Sequence, residues 1–346
     1  MNALAPATSA GAPRPVAAPG QVARLAVLGA SGYAGREFVR LALAHPGFRV
    51  VAVASREHDG QPASAWLPGL DPRAMTLPDT VSPSAAAAAV AAGAVDTVIA
   101  CLPHGAWRAL VLEHPAFARV ERVVDLSSDH RDGGGDYRYG LPEAFRTTLS
   151  GAARIANPGC YATAMQLALA PLVSLLAGPA HVFGVSGYSG AGTTPSPKND
   201  PERLRENLLP YQLTGHLHER EASHHLGHPV RLLPHVAPFF RGIALTISIQ
   251  LRAPATAEEL FDRVAGAYSG EPLVRVTREL PEVRAIRARH GVAIGGFSVA
   301  DGGRDAALGA TIDNLLKGAA TQAVQNLNLA FGFPEDEGLR DHGRRP

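Results

Sequence analysis

Three glycines at a strand-to-helix junction constrain this chain more than any other feature. Arg24–Gly29 (RLAVLG) is a short apolar run ending on glycine, as a buried parallel strand would. Gly29, Gly32 and Gly35 follow in a G-x-x-G-x-x-G spacing, and Arg36–Ala44 then carries apolar residues at helical intervals. His45-Pro-Gly47 breaks that helix, and Phe48–Ala54 (FRVVAVA) is a second buried strand. Strand, helix and strand within about 30 residues make a βαβ unit. Glycines at its first turn let the backbone approach a pyrophosphate seated on the helix N-terminus. Gly29, Ser31, Gly32, Tyr33 and Ala34 are the candidate contacts, with a tight turn and no ligand as the alternative.

The end of the second strand selects the cofactor. A site for NAD(H) usually carries Asp or Glu there, to bind the ribose 2′-hydroxyl. This chain has Ser55-Arg56, a hydroxyl and a guanidinium that suit a 2′-phosphate, so the expectation is NADP(H). Arg56 as a mere surface charge is the competing reading. Leu102, Pro103 and His104 follow another apolar strand, Asp96–Leu102, and therefore sit at the carboxyl edge of the sheet. His104 either contacts the cofactor or holds its loop.

Helical Ala86–Ala92 and the strand Arg122–Leu126 continue the alternation, which argues for a parallel sheet covered on both faces. After Cys160 the pattern changes. Ala162–Leu176 reads as a helix kinked at Pro171. Ala180–Gly187, Val230–Val236 and Gly242–Arg252 read as strands, the last alternating as if one face were solvated or an interface. Thr256–Ala267 is a helix with Thr256 as N-cap and Glu259 three residues on. Asn314–Phe331 reads as a strongly amphipathic final helix. The fold class expected is α/β: a Rossmann-like NADP-binding domain, then an α+β domain, with the boundary near Cys160.

The formal net charge of +1 gives no electrostatic reason to expect nucleic acid or a membrane surface. No apolar stretch approaches the roughly 20 residues of a membrane span. Residues 1–20, rich in Ala, Pro and Gly, lack the apolar run of a secretory signal and read as a disordered tail. Two cysteines make no disulfide framework, so a reducing cytoplasm is the expected compartment.

One of those cysteines, Cys160, follows Pro158-Gly159 and precedes a helical run. Free cysteine often only fills space. A helix N-terminus, however, stabilises thiolate and lowers the thiol pKa. A reactive cysteine next to a dinucleotide domain suggests thioester formation followed by hydride transfer. The acid/base candidates are His216 and His218, with Glu221 to orient one of them, all within Gly215–Glu221 (GHLHERE). A zinc site or a solvated helix face would be the bland reading of that cluster. His224 and His225 follow closely, yet no convincing metal spacing results, and no metal is expected.

The signature IANPGCYAT (155–163) through Pro171 resembles that of the N-acetyl-γ-glutamyl-phosphate reductase family. GASGYAGRE (29–37), LPHG (102–105), VDLSSDHR (124–131), YGLPE (139–143), VSGYSGAGTTPSPKNDPE (185–202), GHLHERE (215–221), PHVAPFFRGI (234–243) and DNLLKGAATQAVQNLNLAFG (313–332) extend the resemblance over nearly the whole chain. It implies NADPH-dependent reduction of N-acetyl-glutamyl 5-phosphate through a Cys160 thioester, with a semialdehyde dehydrogenase-like fold. It further implies Arg131 at the phosphoryl group, Arg241 at the α-carboxylate and Asn157 at the substrate. Ser186, Gly187, Gly190 and Asn314 would lie near the nicotinamide. Asn314 then brings the C-terminal helix back to the first domain, giving domains of 21–160 with 313–346 and of 161–312. A homodimer or homotetramer is implied, and channelling from acetylglutamate kinase is conceivable.

Two departures stand out: Ala162 where many members have Pro, and His130 where Phe is common. The alternatives are the sister aminoadipyl-phosphate reductase, whose substrate differs by one methylene, aspartate-semialdehyde dehydrogenase, whose usual cysteine context differs, and a non-catalytic NADP-binding regulator.

Overall fold

The computed structural model describes residues 22–67 and 79–339, so the expected N-terminal tail lies outside the described residues. The chain forms two compact units: Gly159–Gly318, and the preceding segment together with residues from Ala319 onward.

The first unit is a seven-stranded sheet: β1 (Ala23–Leu28), β2 (Phe48–Ala54), β3 (Thr80–Val81), β4 (Thr97–Ala100), β5 (Arg122–Asp125), β6 (Arg138–Tyr139) and β7 (Arg154–Ala156). The spatial order is β3-β2-β1-β4-β5-β7-β6, and every pairing is parallel. Val98, Ile99 and Ala100 are wholly buried, as an apolar run between two helix layers must be. The chain runs outward from β1 to β2 on one side and from β4 on the other. The switch point therefore lies at the carboxyl ends of β1 and β4, where such sheets bind ligands. Helices α1 (Tyr33–Ala44), α2 (Pro83–Ala91), α3 (Ala106–Glu113) and α4 (Pro142–Leu149) complete this half of the chain.

The second unit opens on α5 (Cys160–Leu169), whose residues from Tyr161 to Leu169 are all buried. The helix expected over 162–176 is two elements, because Pro171 lacks an amide N–H and the chain tightens into a 3₁₀ segment over Ala170–Leu175. The sheet comprises β8 (Ala180–Gly187), β9 (Leu209–Pro210), β10 (Val230–Ala237), β11 (Ile243–Gln250), β12 (Val274–Thr277), β13 (Val292–Val299) and β14 (Asp305–Ile312), in the order β12-β13-β14-β11-β8-β10-β9. Pairings are mixed, with β8–β10 and β12–β13 parallel. The short α6 (Pro201–Leu204), then α7 (Leu217–Leu226), α8 (Ala257–Ala267) and the short α9 (Val283–Ile286) follow in the chain. Thr256 and Glu259 form a reciprocal capping box at α8. Helices α5, α7 and α8 lie against the sheet. On β8, β10 and β11 the alternate residues Phe183, Leu233, Thr246 and Ser248 face outward and are exposed.

After β14 the chain makes a π-helical turn over Leu316–Ala320 and enters α10 (Thr321–Phe331). The expected amphipathic helix from Asn314 is thus corrected: Asn314 precedes the helix, and α10 is buried nearly all round. Its polar residues have partners inside the first unit. Gln322 Nε2 donates to the Gly140 carbonyl at 2.8 Å, and Gln325 Nε2 to Glu335 Oε1 at 2.7 Å. Asn326 Nδ2 donates to Asn157 Oδ1 at 3.0 Å, and Asn328 Nδ2 to the Glu335 carbonyl at 3.0 Å. Bonded in this way, amides can be buried at little cost.

Candidate active site

In the first unit the dinucleotide loop is shaped by sterics. Gly29 has φ +71°, and a Cβ there would strike the Cys101 carbonyl. A Cβ on Gly35 would come within 2.7 Å of Ala30 Cα, so only glycine lets α1 approach the turn. Gly32 is the N-cap of α1, and no side chain caps the helix. Ser31, Tyr33 and Ala34 complete the turn. Ser55 is buried beside Ser31, their hydroxyls 3.4 Å apart, while Arg56 next to it is exposed. A helix N-terminus without a side-chain cap and an exposed guanidinium at the end of β2 fit the pyrophosphate and 2′-phosphate of NADP(H).

After β4, Leu102 and Pro103 lead to His104, whose Nδ1 accepts the Ser128 N–H at 3.1 Å and so ties two loops together. Asp125, fully buried, accepts Ser127 Oγ at 2.8 Å and pairs with His130 Nδ1 at 2.9 Å. His130 stacks on Tyr137 with ring centroids 3.8 Å apart, so it fills an aromatic place and adds a bond. Arg131, also buried, donates from Nε to the Asn157 carbonyl at 2.8 Å and from Nη2 to the Leu126 carbonyl at 2.7 Å. Asn157 donates from Nδ2 to the Ala319 carbonyl and accepts at Oδ1 from Asn326, so its amide serves as a joint within this unit.

In the second unit Cys160 is the first residue of α5, and the N-cap Gly159 offers no side-chain cap. The first-turn N–H groups therefore favour a negative sulfur. The other cysteine contrasts with it: burial, then the nearby Asp125, push the Cys101 thiol up to about 12. Glu221, buried on α7, accepts the Gly159 N–H at 2.8 Å and so braces the turn carrying Cys160. Tyr161, the next residue, donates its hydroxyl to the His235 carbonyl at 3.1 Å. Its hydroxyl is hydrogen-bonded with that of Tyr211, and burial raises both phenols' pKa, with the charge of Cys160 as a further cause.

His216 and His218 complete this shell. Their ring centroids are 5.1 Å apart, and each lies 6.1 Å from the Tyr161 ring. His216 is the N-cap of α7, its Nδ1 accepting the His218 N–H at 3.1 Å. A neutral ring with that acceptor carries its proton on Nε2. Burial first, then Lys198, lower its pKa to about 4.

Ser186, Gly187, Gly190 and Asn314 also come together. Asn314 Oδ1 accepts the Gly242 N–H at 2.7 Å, and its Nδ2 donates to Ser189 Oγ at 2.9 Å. A Cβ on Gly190 would lie 2.9 Å from Ser186 Oγ, and one on Gly187 would meet the backbone of residues 239–241. Arg241 forms a two-pronged ion pair with the fully buried Asp313, at 2.7 Å and 3.0 Å.

The matches with known proteins follow the same division. Residues 24–152 match the family described as "Semialdehyde dehydrogenase, NAD binding domain", and residues 160–314 match "Semialdehyde dehydrogenase, dimerisation domain". N-acetyl-gamma-glutamyl-phosphate reductase from Xanthomonas campestris pv. campestris (strain B100) is 49% identical over 315 residues, covering 91% of this chain and 98% of its own. The same-named protein of Xylella fastidiosa (strain 9a5c) is 49% identical over 322 residues, covering 93% and 95%. The chain belongs to the N-acetyl-γ-glutamyl-phosphate reductase family. The wider fold is shared with aspartate semialdehyde dehydrogenase II from Vibrio cholerae, with TM-score 0.70 at 20% identity, covering 89% of this chain and 98% of that one. It is also shared with the Candida albicans aspartate semialdehyde dehydrogenase solved with NADP, with TM-score 0.64 at 16% identity, covering 90% and 99%.

Several residues of this reductase site escaped sequence reasoning. A Cβ on Gly318 would sit 2.7 Å from Cys160 Cβ, so the π-helical turn and the cysteine turn fit only through that glycine. Asp313 and Tyr211 carried no local signal. Their partners lie 72 and 50 residues away, at Arg241 and Tyr161.

Among the described residues no group of three or more His, Cys, Asp or Glu is arranged to hold a metal ion, and no helix is long and apolar enough to cross a membrane.

Proposed function

We propose that this chain reduces N-acetyl-L-glutamyl 5-phosphate to N-acetyl-L-glutamate 5-semialdehyde in arginine biosynthesis, through a thioester on Cys160. The observation that carries the mechanism is Cys160 at the first position of α5, on a turn braced by Glu221. Its sulfur bonds to the acyl carbon, the carbon–oxygen bond to the phosphoryl group breaks, and phosphate leaves with the electron pair. NADPH, when bound, supplies the hydride that takes the acyl group to the aldehyde level. His218 removes the sulfur's proton before attack and returns one when the carbon–sulfur bond breaks. What favours His218 is that its neighbour caps a helix with Nδ1 and is too weak a base, at about 4.

Ser55 and Arg56 take the 2′-phosphate, and the knot of Ser186, Gly187, Gly190 and Asn314 serves the nicotinamide end. Arg131, oriented by two neutral carbonyls, holds the phosphoryl group. The dimerisation family makes this a self-associating chain. The outward face of the second sheet, with Phe183 and Leu233, is the surface for a cytoplasmic homodimer or homotetramer. A labile acyl phosphate gains from direct hand-over by acetylglutamate kinase.

Mass spectrometry of protein mixed with the acyl phosphate and no cofactor tests the reaction. The expected result is one acyl group on the peptide spanning Cys160, and no turnover by Cys160→Ala. Turnover by that variant would sink the mechanism.

A further inference from the structure

The segment Ser196–Asp200 (SPKND) is held by nearly all its polar residues except one. Asn199 Oδ1 accepts the Ser196 N–H at 2.7 Å, and its Nδ2 donates to the carbonyls of Gly192 and Thr194, both at 2.9 Å. Asp200 caps α6. Lys198 takes no part in this stitching. Among the described residues it makes no hydrogen bond or ion pair, although it is half-buried. Its ammonium lies 4.9 Å from the centre of the Tyr211 ring.

That ring leads back to the nucleophile. Tyr211 is 5.7 Å from the His216 ring, and its hydroxyl is bonded to that of Tyr161, the residue after Cys160. A rigid loop thus delivers an unpaired cation to the edge of the site. The substrate in the reaction proposed above carries two anionic groups. Its α-carboxylate needs a cation, and Arg241 is engaged by Asp313 through both prongs.

We infer that Lys198 binds the α-carboxylate of the substrate, an inference that rests on the proposed reaction. The phosphoryl group is bonded through oxygen to the carbon that Cys160 attacks, so it lies beside the sulfur. The carboxylate ends the molecule about 5 Å further out, four carbon–carbon bonds away. The chain of contacts from Cys160 to Lys198 runs through Tyr161 and Tyr211, which suits the far end of the substrate. The same charge helps to keep His216 neutral.

Steady-state oxidation of the semialdehyde, with NADP⁺ and phosphate, tests this in wild type, Lys198→Met and Lys198→Arg. Each is run on the carboxylate substrate and on its α-carboxamide. In Lys198→Met, the KM for the carboxylate substrate rises about tenfold, the effect of losing one charge-assisted hydrogen bond. The KM for phosphate stays put, the preference for carboxylate over carboxamide collapses, and Lys198→Arg restores most of it. An unchanged preference, or a rise in the KM for phosphate instead, would overturn the assignment. Wild type that fails to oxidise the semialdehyde at all would overturn the reaction itself and the assignment with it, a result no Lys198 variant can mimic.

Discussion

His216 and His218 stand two residues apart on one turn of chain, yet their surroundings give them different chemistry. His216 spends Nδ1 on the helix cap and stays neutral down to about pH 4. His218→Asn is expected to lower kcat by about 10²–10⁴-fold, the usual worth of an acid/base group. His216→Asn keeps a capping oxygen at the start of α7 and should cost much less. Stopped-flow turnover of the two variants checks the ranking, and a larger loss in His216→Asn would reverse the roles. The cysteine turn was legible because Pro, Gly and a helical run mark it locally. Gly318, Tyr211 and Lys198 were not, because their importance lies in what sits against them: a Cβ, a hydroxyl and a ring from distant parts of the chain.

Local elements were read well wherever their causes are local. The βαβ start follows from glycines and apolar runs, and the α8 cap from Thr256 and Glu259. Helix α10 was misread because its glutamines and asparagines mimic a wet face, while their partners at Gly140, Asn157 and Glu335 are invisible to periodicity. The same helix is docked by His45, stacked on Phe48 at 3.6 Å. His45 Nδ1 accepts the Gly47 N–H at 3.0 Å, so Nε2 donates to Asn328 Oδ1 at 2.9 Å. Burial lowers its pKa to about 4, from 6.5. Above pH 6.5 both folded and unfolded chains hold it neutral and its contribution is complete. As pH falls toward 4 only the unfolded chain takes up the proton, so stability declines, by on the order of 3 kcal/mol for this group. Urea unfolding between pH 7.5 and 4 should show that decline, and His45→Gln should flatten it. His216 adds its own share in the same window and remains in the variant. An equal slope in both proteins would count against the assignment.

At the scale of the whole molecule, the second sheet carries helices on one face while the other shows Phe183 and Leu233, 39% and 40% exposed. Apolar side chains of that size at the middle of a sheet face belong in an interface. Replacing both with Glu is expected to shift the protein to a monomer in sedimentation velocity, and an unchanged sedimentation coefficient would place the contact elsewhere. The two-unit plan was legible from the change of pattern at Cys160. The strands β12, β13 and β14 went unread, and β3, β6 and β9, at two residues each, are too short to show a period. The nucleotide-binding unit takes chain from both sides of the other, because residues from Ala319 onward belong with it. During translation the nucleotide-binding half must therefore wait, lacking the buried helix α10, while the uninterrupted half behind it leaves the ribosome and can settle first. A stop codon between Ala319 and the middle of α10 would strike the opposite end of the gene product, leaving a finished sulfur-bearing half attached to an unfinished sheet.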